Sequence, residues 1–254
     1  MRVVYEPKGR AREYSELACN LYRGCTHGCR YCYAPACMRT TGKIWHAEAE
    51  PRSKIIELFE KDAWELRADT RRILFCFLSD PYQPLERTER LTRQALEIVG
   101  KHRLNSHVLT KGCADLIQED IGLMKDAGTQ LGVTLCFSDD AIRKEWEPDA
   151  SSVDDRMTVL KAAHKAGVFT WVSLEPVINP AQALEVIRMA HPYVNFWKVG
   201  KLNHMKEYEQ TVDWRKFLCD VETLLTGLGA EYYIKNDLRS FAGLNMSNAL
   251  GSRA

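Results

Sequence analysis

The stretch NLYRGCTHGCRYCYAPAC, residues 20–37, decides how the rest of this 254-residue chain is interpreted. Cys25, Cys29 and Cys32 follow the spacing C-x3-C-x2-C, so three thiolates can converge on one metal centre from a short loop. A structural zinc site has four protein ligands, commonly from two paired motifs, and this trio has no matching second half. Three cysteines instead suit a four-iron cluster in which the protein holds three irons and leaves the fourth open.

Two other interpretations of the three cysteines are open at this point. One is a zinc knuckle completed by His27 or His46, and the other is a set of buried thiols without a metal. Tyr31 and Tyr33 lie beside Cys32 and favour the cluster. Aromatic rings in that position restrict water and tune the potential of a cluster.

The cysteine spacing, with Tyr31 directly before the third cysteine, resembles the radical S-adenosylmethionine (SAM) superfamily. Four segments are similar to its spore photoproduct lyase-like, or DNA repair photolyase-like, branch: RGCTHGCRYCYAP (23–35), LSDPYQPLE (78–86), LTKG (109–112) and EPDASSVDDR (147–156). The resemblance implies a [4Fe–4S] cluster on Cys25, Cys29 and Cys32 whose open iron chelates SAM. It also implies cleavage of SAM by one electron to methionine and a 5′-deoxyadenosyl radical, which abstracts hydrogen from a substrate.

Length and composition indicate the size of the core and the number of domains. With 254 residues and 45% hydrophobic content, the chain can bury a full core. We expect a single radical SAM domain over residues 1–254, with a cluster loop at 20–37, a barrel core at about 53–235 and a short C-terminal tail. Nine cysteines, a charged N-terminal segment and no apolar run of transmembrane length predict a cytoplasmic protein without membrane contact.

The net charge of +1 favours no charged partner for the chain as a whole. Residues 1–54 differ, because they contain ten Lys or Arg and five Glu. We interpret this excess as a solvated basic segment, with phosphate binding as the alternative. No basic stripe of the kind that follows a nucleic-acid backbone is visible in the sequence.

Strand-like and helix-like segments alternate from residue 53 onwards. Short apolar runs predict strands at 72–78, 104–110, 130–137, 168–174, 193–199 and 231–235. Helical periodicity predicts a helix from about Ser53, with Ser53 as its cap, and helices at 88–100, 114–127, 180–190 and 212–228. It also predicts a helix that is capped by Ser151 or Ser152 and runs to residue 166. This order is typical of a parallel sheet with right-handed crossovers. We therefore predict an α/β fold, a partial (β/α)6 TIM-like barrel of the radical SAM type, with its site at the C-terminal ends of the strands.

The resemblance implies several SAM-binding positions. Tyr31 covers the cluster, and Lys111 in LTKG has the position of a lysine that approaches the SAM carboxylate. Ser79 and Asp80 have the place of a segment that meets the SAM amino group, where an acidic or carbonyl oxygen complements an ammonium. The alternative for Asp80, which precedes Pro81, is that it only shapes a turn.

Two further positions carry candidate polar groups at the ends of predicted strands. Thr134 matches a strand hydroxyl that contacts the SAM ribose, with packing as the alternative. Glu175 ends an apolar strand, where a carboxylate needs a partner, and we predict a role in SAM binding, substrate binding or catalysis. A structural salt bridge is the alternative for Glu175. From their chemistry alone, Glu147 and Arg156 are interpreted as a turn residue and a helix-surface charge.

Cys76 and Cys113 are the candidate thiol groups for catalysis, and Cys136 is a further candidate near a strand end. The resemblance implies a cysteine that returns a hydrogen atom to the product radical. Aligned on the Ser-Asp pair at 79–80, that position falls on Phe77, one residue beyond Cys76. A one-residue offset reverses the face of a strand, so Cys76 is expected to point into packing. This offset weakens the case for repair of a thymine dimer.

The remaining predictions concern the substrate and the partners. The predicted substrate-binding residues are Tyr33, Lys198, Asn203, His204, Asn236 and Asp237. We predict a radical SAM lyase that acts on a small modified nucleobase or nucleoside, for which a queuine lyase is a concrete example. The alternatives are a DNA photoproduct repair lyase and a non-catalytic zinc or nucleic-acid-binding module. An external electron donor such as flavodoxin or ferredoxin is the expected partner, and DNA is a less favoured one.

Overall fold

The structure, a computed structural model, describes residues 2–243. Its strands are β1 (Leu17–Cys19), β2 (Tyr22–Arg23), β3 (Glu50–Pro51), β4 (Ile73–Phe75), β5 (Ser106–Thr110), β6 (Gln130–Thr134), β7 (Thr170–Val177), β8 (Phe196–Lys201) and β9 (Glu231–Ile234). Its α-helices are α1 (Ala34–Cys37), α2 (Gly42–Trp45), α3 (Ile55–Glu65), α4 (Glu86–Glu89), α5 (Leu91–His102), α6 (Ala114–Ala127), α7 (Asp140–Trp146), α8 (Val153–Ala166), α9 (Pro180–Ala190), α10 (Lys206–Glu209), α11 (Trp214–Gly227) and α12 (Asn236–Phe241). Two 3-10 helices span Gly9–Glu13 and His191–Tyr193.

Seven strands form one sheet in the order β1-β4-β5-β6-β7-β8-β9, and all neighbouring pairs are parallel. The predicted α/β fold, a partial barrel of parallel strands, is confirmed, with one strand more than the six that were expected. The additional strand is β1, whose three residues are too short to show an apolar period. β2 and β3 form a separate antiparallel pair.

Local sequence signals agree with several element boundaries. α6 and α9 begin and end where the periodicity predicts, and Gly128 ends α6 in the left-handed conformation with a φ of 66°. Ser152 and Asp155 form a capping box at the start of α8. The prediction that Ser53 caps a helix is wrong, because α3 starts after Lys54, which has a φ of 53° and makes no side-chain cap.

The two faces of the sheet have different surroundings. Val108, Val133, Val172 and Val199 are at most 1% exposed and pack into the main core. Their neighbours along each strand point to the opposite face, because side chains alternate in a β-strand. That opposite, inner face is the one that carries Thr134, Ser173 and Glu175.

The segment before β1 lies against the inner face near the edge strand β9. Lys198 of β8 donates hydrogen bonds from Nζ to the backbone oxygens of Glu13 and Tyr14, at 3.0 and 2.9 Å. Tyr233 of β9 donates to the Glu13 carboxylate at 2.8 Å. These bonds tie the N-terminal segment to the last two strands. None of the helices in residues 2–243 combines the length and the apolar character that a membrane crossing requires.

Candidate cluster and SAM site

The loop with the three cysteines follows β1 and is anchored at several points. Cys25 and Cys29 are each 9% exposed, and Cys32 is half-buried. His46 bonds from Nδ1 to the Cys25 backbone oxygen at 2.7 Å, which gives that ring a local structural role. Gly24 has a φ of 79°, and a Cβ at this position would lie 2.2 Å from the backbone oxygen of Glu48. The loop therefore requires glycine there, both for its conformation and for the close approach.

The donor set of the loop consists of thiols. Burial raises the pKa of all three, to about 12 for Cys25 and to about 11 for Cys29. Ligation of iron requires thiolates, so iron binding to these residues would release protons. Within residues 2–243, no three His, Cys, Asp or Glu side chains lie close enough to hold a single metal ion. Three thiolates are the donor set that an iron–sulfur cluster takes when one iron is left open.

Lys111 follows β5 and reaches over the cluster loop. Its Nζ lies 2.7 Å from Tyr31 Oη and 4.0 Å from Cys29 Sγ, and its side chain is 15% exposed. Burial lowers the pKa of this lysine, but Cys29 and Glu147 outweigh burial and raise the pKa above its ordinary value. The ammonium is therefore charged and directed at the cysteines.

Arg156 corrects the interpretation made from the sequence, because it is 2% exposed and is not a surface charge. Glu147 lies in the turn after α7, as interpreted, but it is fully buried there. Arg156 Nη2 lies 2.5 Å from Glu147 Oε2, although no N–H is aligned on the oxygen, so the contact is an ion pair. Glu147 Oε1 accepts a hydrogen bond from Tyr31 and lies 3.4 Å from Lys111 Nζ. One buried carboxylate thus links two cations and a tyrosine beside the cluster loop.

The protonation state of Glu147 follows from these contacts. Burial raises the pKa of a carboxyl group, but Arg156 and Lys111 outweigh it and lower the pKa of Glu147 to about 2. The pKa of Arg156 is raised, because the attraction of Glu147 outweighs the effect of burial. The network therefore holds two positive charges and one negative charge, and it leaves a net positive charge beside Cys29.

Backbone hydrogen bonds hold the Glu147 turn against the cluster loop. The N–H of Arg30 donates to the Trp146 oxygen at 2.9 Å, and the N–H of Asp149 donates to the His27 oxygen at 3.2 Å. These bonds lie on either side of Glu147, so the carboxylate and the cysteine loop are held as one unit. The segment EPDASSVDDR gave a signal for this arrangement, since it matched a family pattern, but residue chemistry alone did not locate its contacts.

The predicted SAM-binding residues after β4 lie in a hydrogen-bonded turn. Asp80 Oδ1 accepts from the N–H of Tyr82 at 2.8 Å and from Thr110 Oγ1 at 2.6 Å, and Asp80 Oδ2 accepts from the N–H of Lys111 at 2.8 Å. This carboxylate is therefore occupied by the protein and fixes the turn that carries Lys111. Ser79 is 8% exposed, with Oγ 3.4 Å from the Tyr22 oxygen.

Thr134 ends β6 on the inner face and is 5% exposed. Its backbone oxygen accepts from Arg156 Nη1 at 3.0 Å. The same guanidinium that neutralises Glu147 therefore also fixes the end of β6. Tyr31, Lys111 and Thr134 are thereby brought into one region with the cysteine loop.

Comparison with known proteins decides the family. The family model described as the radical SAM superfamily matches residues 19–191, which is more than half of the chain. The chain belongs to the radical SAM superfamily. The cofactors of the superfamily are a [4Fe–4S] cluster and SAM, and the donor set of the cysteine loop fits them. The match decides against the zinc-binding module that was considered as an alternative.

Two relatives of this radical SAM enzyme extend the comparison. An uncharacterized protein of Methanocaldococcus jannaschii is 28% identical over 187 residues, which cover 72% of this chain and 69% of the relative. An uncharacterized protein of Mycobacterium tuberculosis is 25% identical over 170 residues, which cover 63% of this chain and 48% of the relative. This chain therefore aligns with about half the length of the mycobacterial protein.

Two solved structures share the fold. Spore photoproduct lyase complexed with a dinucleoside spore photoproduct is similar with a TM-score of 0.64 and 14% identity, over 91% of this chain and 79% of that chain. Streptococcus suis SuiB bound to S-adenosylmethionine gives a TM-score of 0.62 and 11% identity, over 88% of this chain and 51% of that chain. At such low identity the likeness establishes the fold of the enzyme.

A second paired carboxylate, partly buried, lies on the inner face of the enzyme at Glu175 of β7. It accepts hydrogen bonds from Lys235 Nζ at 2.9 and 2.8 Å and from Tyr14 Oη at 2.5 Å. Burial raises the pKa of Glu175, and the opposing effect of Lys235 does not offset it. Tyr14 Oη also lies 2.7 Å from Ser173 Oγ, so the carboxylate links the N-terminal segment to the sheet.

The candidate thiols are distributed over different surroundings. Cys76 is 5% exposed and belongs to the main core, where its Sγ accepts from the N–H of Leu21 at 3.4 Å. Phe77 makes an edge-to-face contact with Tyr14 at 6.3 Å. Cys113 stands at the N-cap position of α6, makes no capping hydrogen bond with its side chain, and is half-buried beside Arg87. Cys136 is fully buried, and the charges of Glu147 and Glu175 both act on its thiol.

The predicted substrate-binding residues do not form one cluster. Asn203 and Asp237 are brought together by a hydrogen bond of 2.8 Å. The side chain of His204 is exposed, and the backbone N–H of Asn236 donates to Glu13 at 2.9 Å.

Lys198 and Tyr33 lie apart from that pair. Tyr33 is 44% exposed and donates to the Phe77 oxygen at 2.7 Å. Lys198 lines a cavity of about 440 Å³ together with residues at the N-terminal ends of the strands, such as Gln130 and Phe196. The strand that carries Lys198 was predicted to end at residue 199 but runs to Lys201, which places this lysine away from the C-terminal edge.

Proposed function

We propose that this enzyme holds the [4Fe–4S] cluster through Cys25, Cys29 and Cys32 and binds SAM beside Lys111. The observation that carries the proposal is the position of the Lys111 ammonium, 4.0 Å from Cys29 Sγ and fixed by the buried Glu147. When bound, the cluster and SAM supply reductive cleavage of SAM and a 5′-deoxyadenosyl radical that abstracts hydrogen.

The residues around Lys111 have separable tasks. Lys111 pairs with the SAM carboxylate, because a charged ammonium in a partly dehydrated site forms a strong hydrogen bond with a carboxylate. Glu147 and Arg156 are positioning residues that keep Lys111 and Tyr31 in place without contacting the substrate. Thr134 offers a hydroxyl to the SAM ribose from the end of β6. Asp80 acts through the turn that it holds, and Ser79 remains a candidate for the SAM amino group.

The substrate is proposed to be a small modified nucleobase or nucleoside, and the reaction a lyase reaction. The hydrogen-bonded pairs Glu175–Lys235 and Asn203–Asp237 place acceptors and donors near the C-terminal ends of β7 to β9. Such mixed polar groups complement the hydrogen-bonding edge of a base. The likeness to spore photoproduct lyase, which was solved with a dinucleoside lesion, supports a nucleoside-like ligand.

A DNA photoproduct lyase is the second candidate function. The same neighbour favours it, since its ligand is a dinucleoside spore photoproduct. Against it stand the net charge of +1 and the position of Cys76 in the core. DNA would also require flipping of the damaged base out of the duplex. Salt-dependent binding of lesion-containing duplex would favour this candidate, and no binding at low salt would remove it.

The central experiment is anaerobic reconstitution with iron and sulfide, followed by addition of SAM and dithionite. We expect about four irons per chain and formation of 5′-deoxyadenosine. The Cys29→Ala variant should lose both. Cys219→Ala is the matched control, because Cys219 is an exposed cysteine on α11, and it should behave like the wild type. A wild-type protein that binds iron but forms no 5′-deoxyadenosine would contradict the proposal.

The substrate is tested with the same reconstituted enzyme. Candidate bases and nucleosides, queuine among them, are added with SAM and dithionite, and cleavage products are followed by mass spectrometry. Glu175→Gln should lower turnover of the true substrate while retaining slow formation of 5′-deoxyadenosine without it. If Glu175→Gln turns over the substrate at the wild-type rate, Glu175 has no role in substrate recognition.

A further inference from the structure

The segment after the third cluster cysteine carries a surface that the proposed chemistry does not use. Residues 33–44, which we name the docking segment, contain α1, most of α2 and the turn between them. Three large apolar side chains of this segment are exposed: Tyr33 at 44%, Met38 at 39% and Ile44 at 67%. Isolated exposed apolar residues are ordinary, but several within one short segment are typical of a protein contact surface.

The charge of this part of the chain is one-sided. Residues 17–47 contain no Asp or Glu, whereas they contain Arg23, Arg30, Arg39 and Lys43. Arg23 is paired with Glu50 at 3.6 Å, and Arg30 lies 4.8 Å from the centre of the Trp146 ring. Arg39 and Lys43 belong to the docking segment, are exposed, and form no ion pair with any residue between 2 and 243. The segment thus presents two free positive charges beside apolar side chains.

The docking segment is joined directly to the cluster loop. It begins at the residue after Cys32, and the N–H of Cys37 donates to the Tyr33 oxygen. At the other end, the Trp45 oxygen accepts from the N–H of Cys25 at 3.3 Å. A protein that covers this segment therefore lies next to residues that are proposed to hold the cluster.

We propose that the docking segment binds an acidic one-electron carrier protein that reduces the cluster. The inference rests on the proposed function, because it requires a cluster on the cysteine loop. In the step, the reduced carrier loses one electron and the cluster gains it. Positive charges at the rim speed encounter with an acidic partner, and the apolar side chains are buried on contact. Phosphate backbones take cations and polar groups instead, so exposed Ile44 and Met38 favour a protein over nucleic acid.

The test compares two variants with equal changes of charge. Arg39→Glu/Lys43→Glu reverses the two exposed positive charges of the docking segment. The control, Lys125→Glu/Lys165→Glu, reverses the charge of two exposed lysines in the last turns of α6 and α8. These turns lead into the starts of β6 and β7. A flavodoxin and, separately, a ferredoxin serve as probes. Their dissociation constants with reconstituted enzyme are measured by calorimetry at about 50 and about 300 mM salt.

We expect the docking-segment variant to bind both carriers about tenfold more weakly at low salt, with little remaining salt dependence. Its rate of 5′-deoxyadenosine formation should fall with flavodoxin as the donor but stay at the wild-type value with dithionite, which needs no docking surface. The control variant Lys125→Glu/Lys165→Glu should match the wild type in carrier affinity, in salt dependence and in the rate of 5′-deoxyadenosine formation. Ile44→Ser, which leaves the charge unchanged, should weaken carrier binding at both salt concentrations.

Two results would overturn the docking proposal while leaving the proposed function intact. One is unchanged carrier affinity in Arg39→Glu/Lys43→Glu when dithionite-supported activity is normal. The other is binding of duplex DNA by the wild type that this variant loses, which would assign the surface to nucleic acid. Failure of dithionite itself to support 5′-deoxyadenosine formation in the wild type would instead contradict the proposed function.

Discussion

Glu147 and Glu175 are carboxylates that are each held by a lysine and a tyrosine, and they differ in their other charged neighbours and in exposure, at 0% and 15%. Glu147 has Lys111, Tyr31 and also Arg156, and its pKa is lowered to about 2. Glu175 accepts hydrogen bonds from Lys235 and Tyr14, has the charge of Asp237 nearby, and its pKa is raised. Burial raises the pKa of both, but two cations outweigh it at Glu147, whereas at Glu175 Lys235 does not offset burial and Asp237 adds to the rise. The two carboxylates therefore differ in the direction of their pKa shifts, downwards at Glu147 and upwards at Glu175.

The two carboxylates make opposite contributions to stability as pH changes. The pKa of Glu147 lies below the ordinary value of 4.5, so its contribution is present above that value and is lost as pH falls towards 2. The folded-state pKa of Glu175 lies above 4.5, so folding favours its protonated form. Its contribution is therefore full at low pH and is lost as pH rises through the folded-state pKa.

The largest expected effect comes from removal of the second cation at Glu147. Arg156→Met should lower the free energy of unfolding of the metal-free protein by about 3–5 kcal/mol, because it leaves a buried charge with less compensation. Urea unfolding at neutral pH measures the loss. Arg156→Met/Glu147→Gln is the control and should recover part of the stability. A loss below about 1 kcal/mol would mean that Lys111 alone neutralises Glu147.

The next effect separates the two lysines by function. Lys111→Met should weaken SAM binding to the reconstituted enzyme about 10- to 100-fold, the range expected for loss of one hydrogen bond between charged groups. Lys235→Met should leave SAM affinity unchanged, since Lys235 bonds to Glu175 and not to the cluster loop. Calorimetric titration with SAM measures both variants. Equal losses would show that the two carboxylate sites form one SAM pocket.

A smaller effect is expected on stability when the lysine of the second site is removed. Lys235→Met should cost about 1 kcal/mol at acidic pH, because Glu175 can take up a proton when its cation is lost. The cost should increase as the pH rises, because protonation of Glu175 then becomes less favourable. Unfolding curves at several pH values check this trend. A cost that does not change with pH would contradict the assignment of a raised pKa to Glu175.

The smallest expected effect is a change in the infrared band of a protonated carboxyl group, which is measured without unfolding the protein. Infrared difference spectra recorded while pH is lowered from neutral should show a protonated carboxyl band that appears above the ordinary titration range and is absent in Glu175→Gln. Glu147→Gln should retain this band, because Glu147 stays ionised until about pH 2. A band that disappears in Glu147→Gln instead would invert the comparison between the two sites.

Local patterns were sufficient for much of the fold and for the position of the cofactor loop. Helices such as α6 and α9 have caps and an apolar period within their own residues, so their ends could be predicted. β1 could not be predicted, because three residues are too few to show an apolar period. It is a strand because it pairs with β4. The end of β8 was misplaced by two residues, and this moved Lys198 away from the edge where it was expected.

The candidate site likewise has one part that local sequence predicts and another part that depends on tertiary contacts. The spacing of Cys25, Cys29 and Cys32 is written in eight consecutive residues, and the radical SAM superfamily follows from it and is confirmed by the family match. The environments of Glu147 and Glu175 are built from residues that are distant in the chain: Tyr31 contacts Glu147 across 116 positions, and Tyr14 contacts Glu175 across 161. Burial and pairing of charges are properties of the packed chain, so only the tertiary structure could decide that Arg156 is a core cation and that Asp80 fixes a turn.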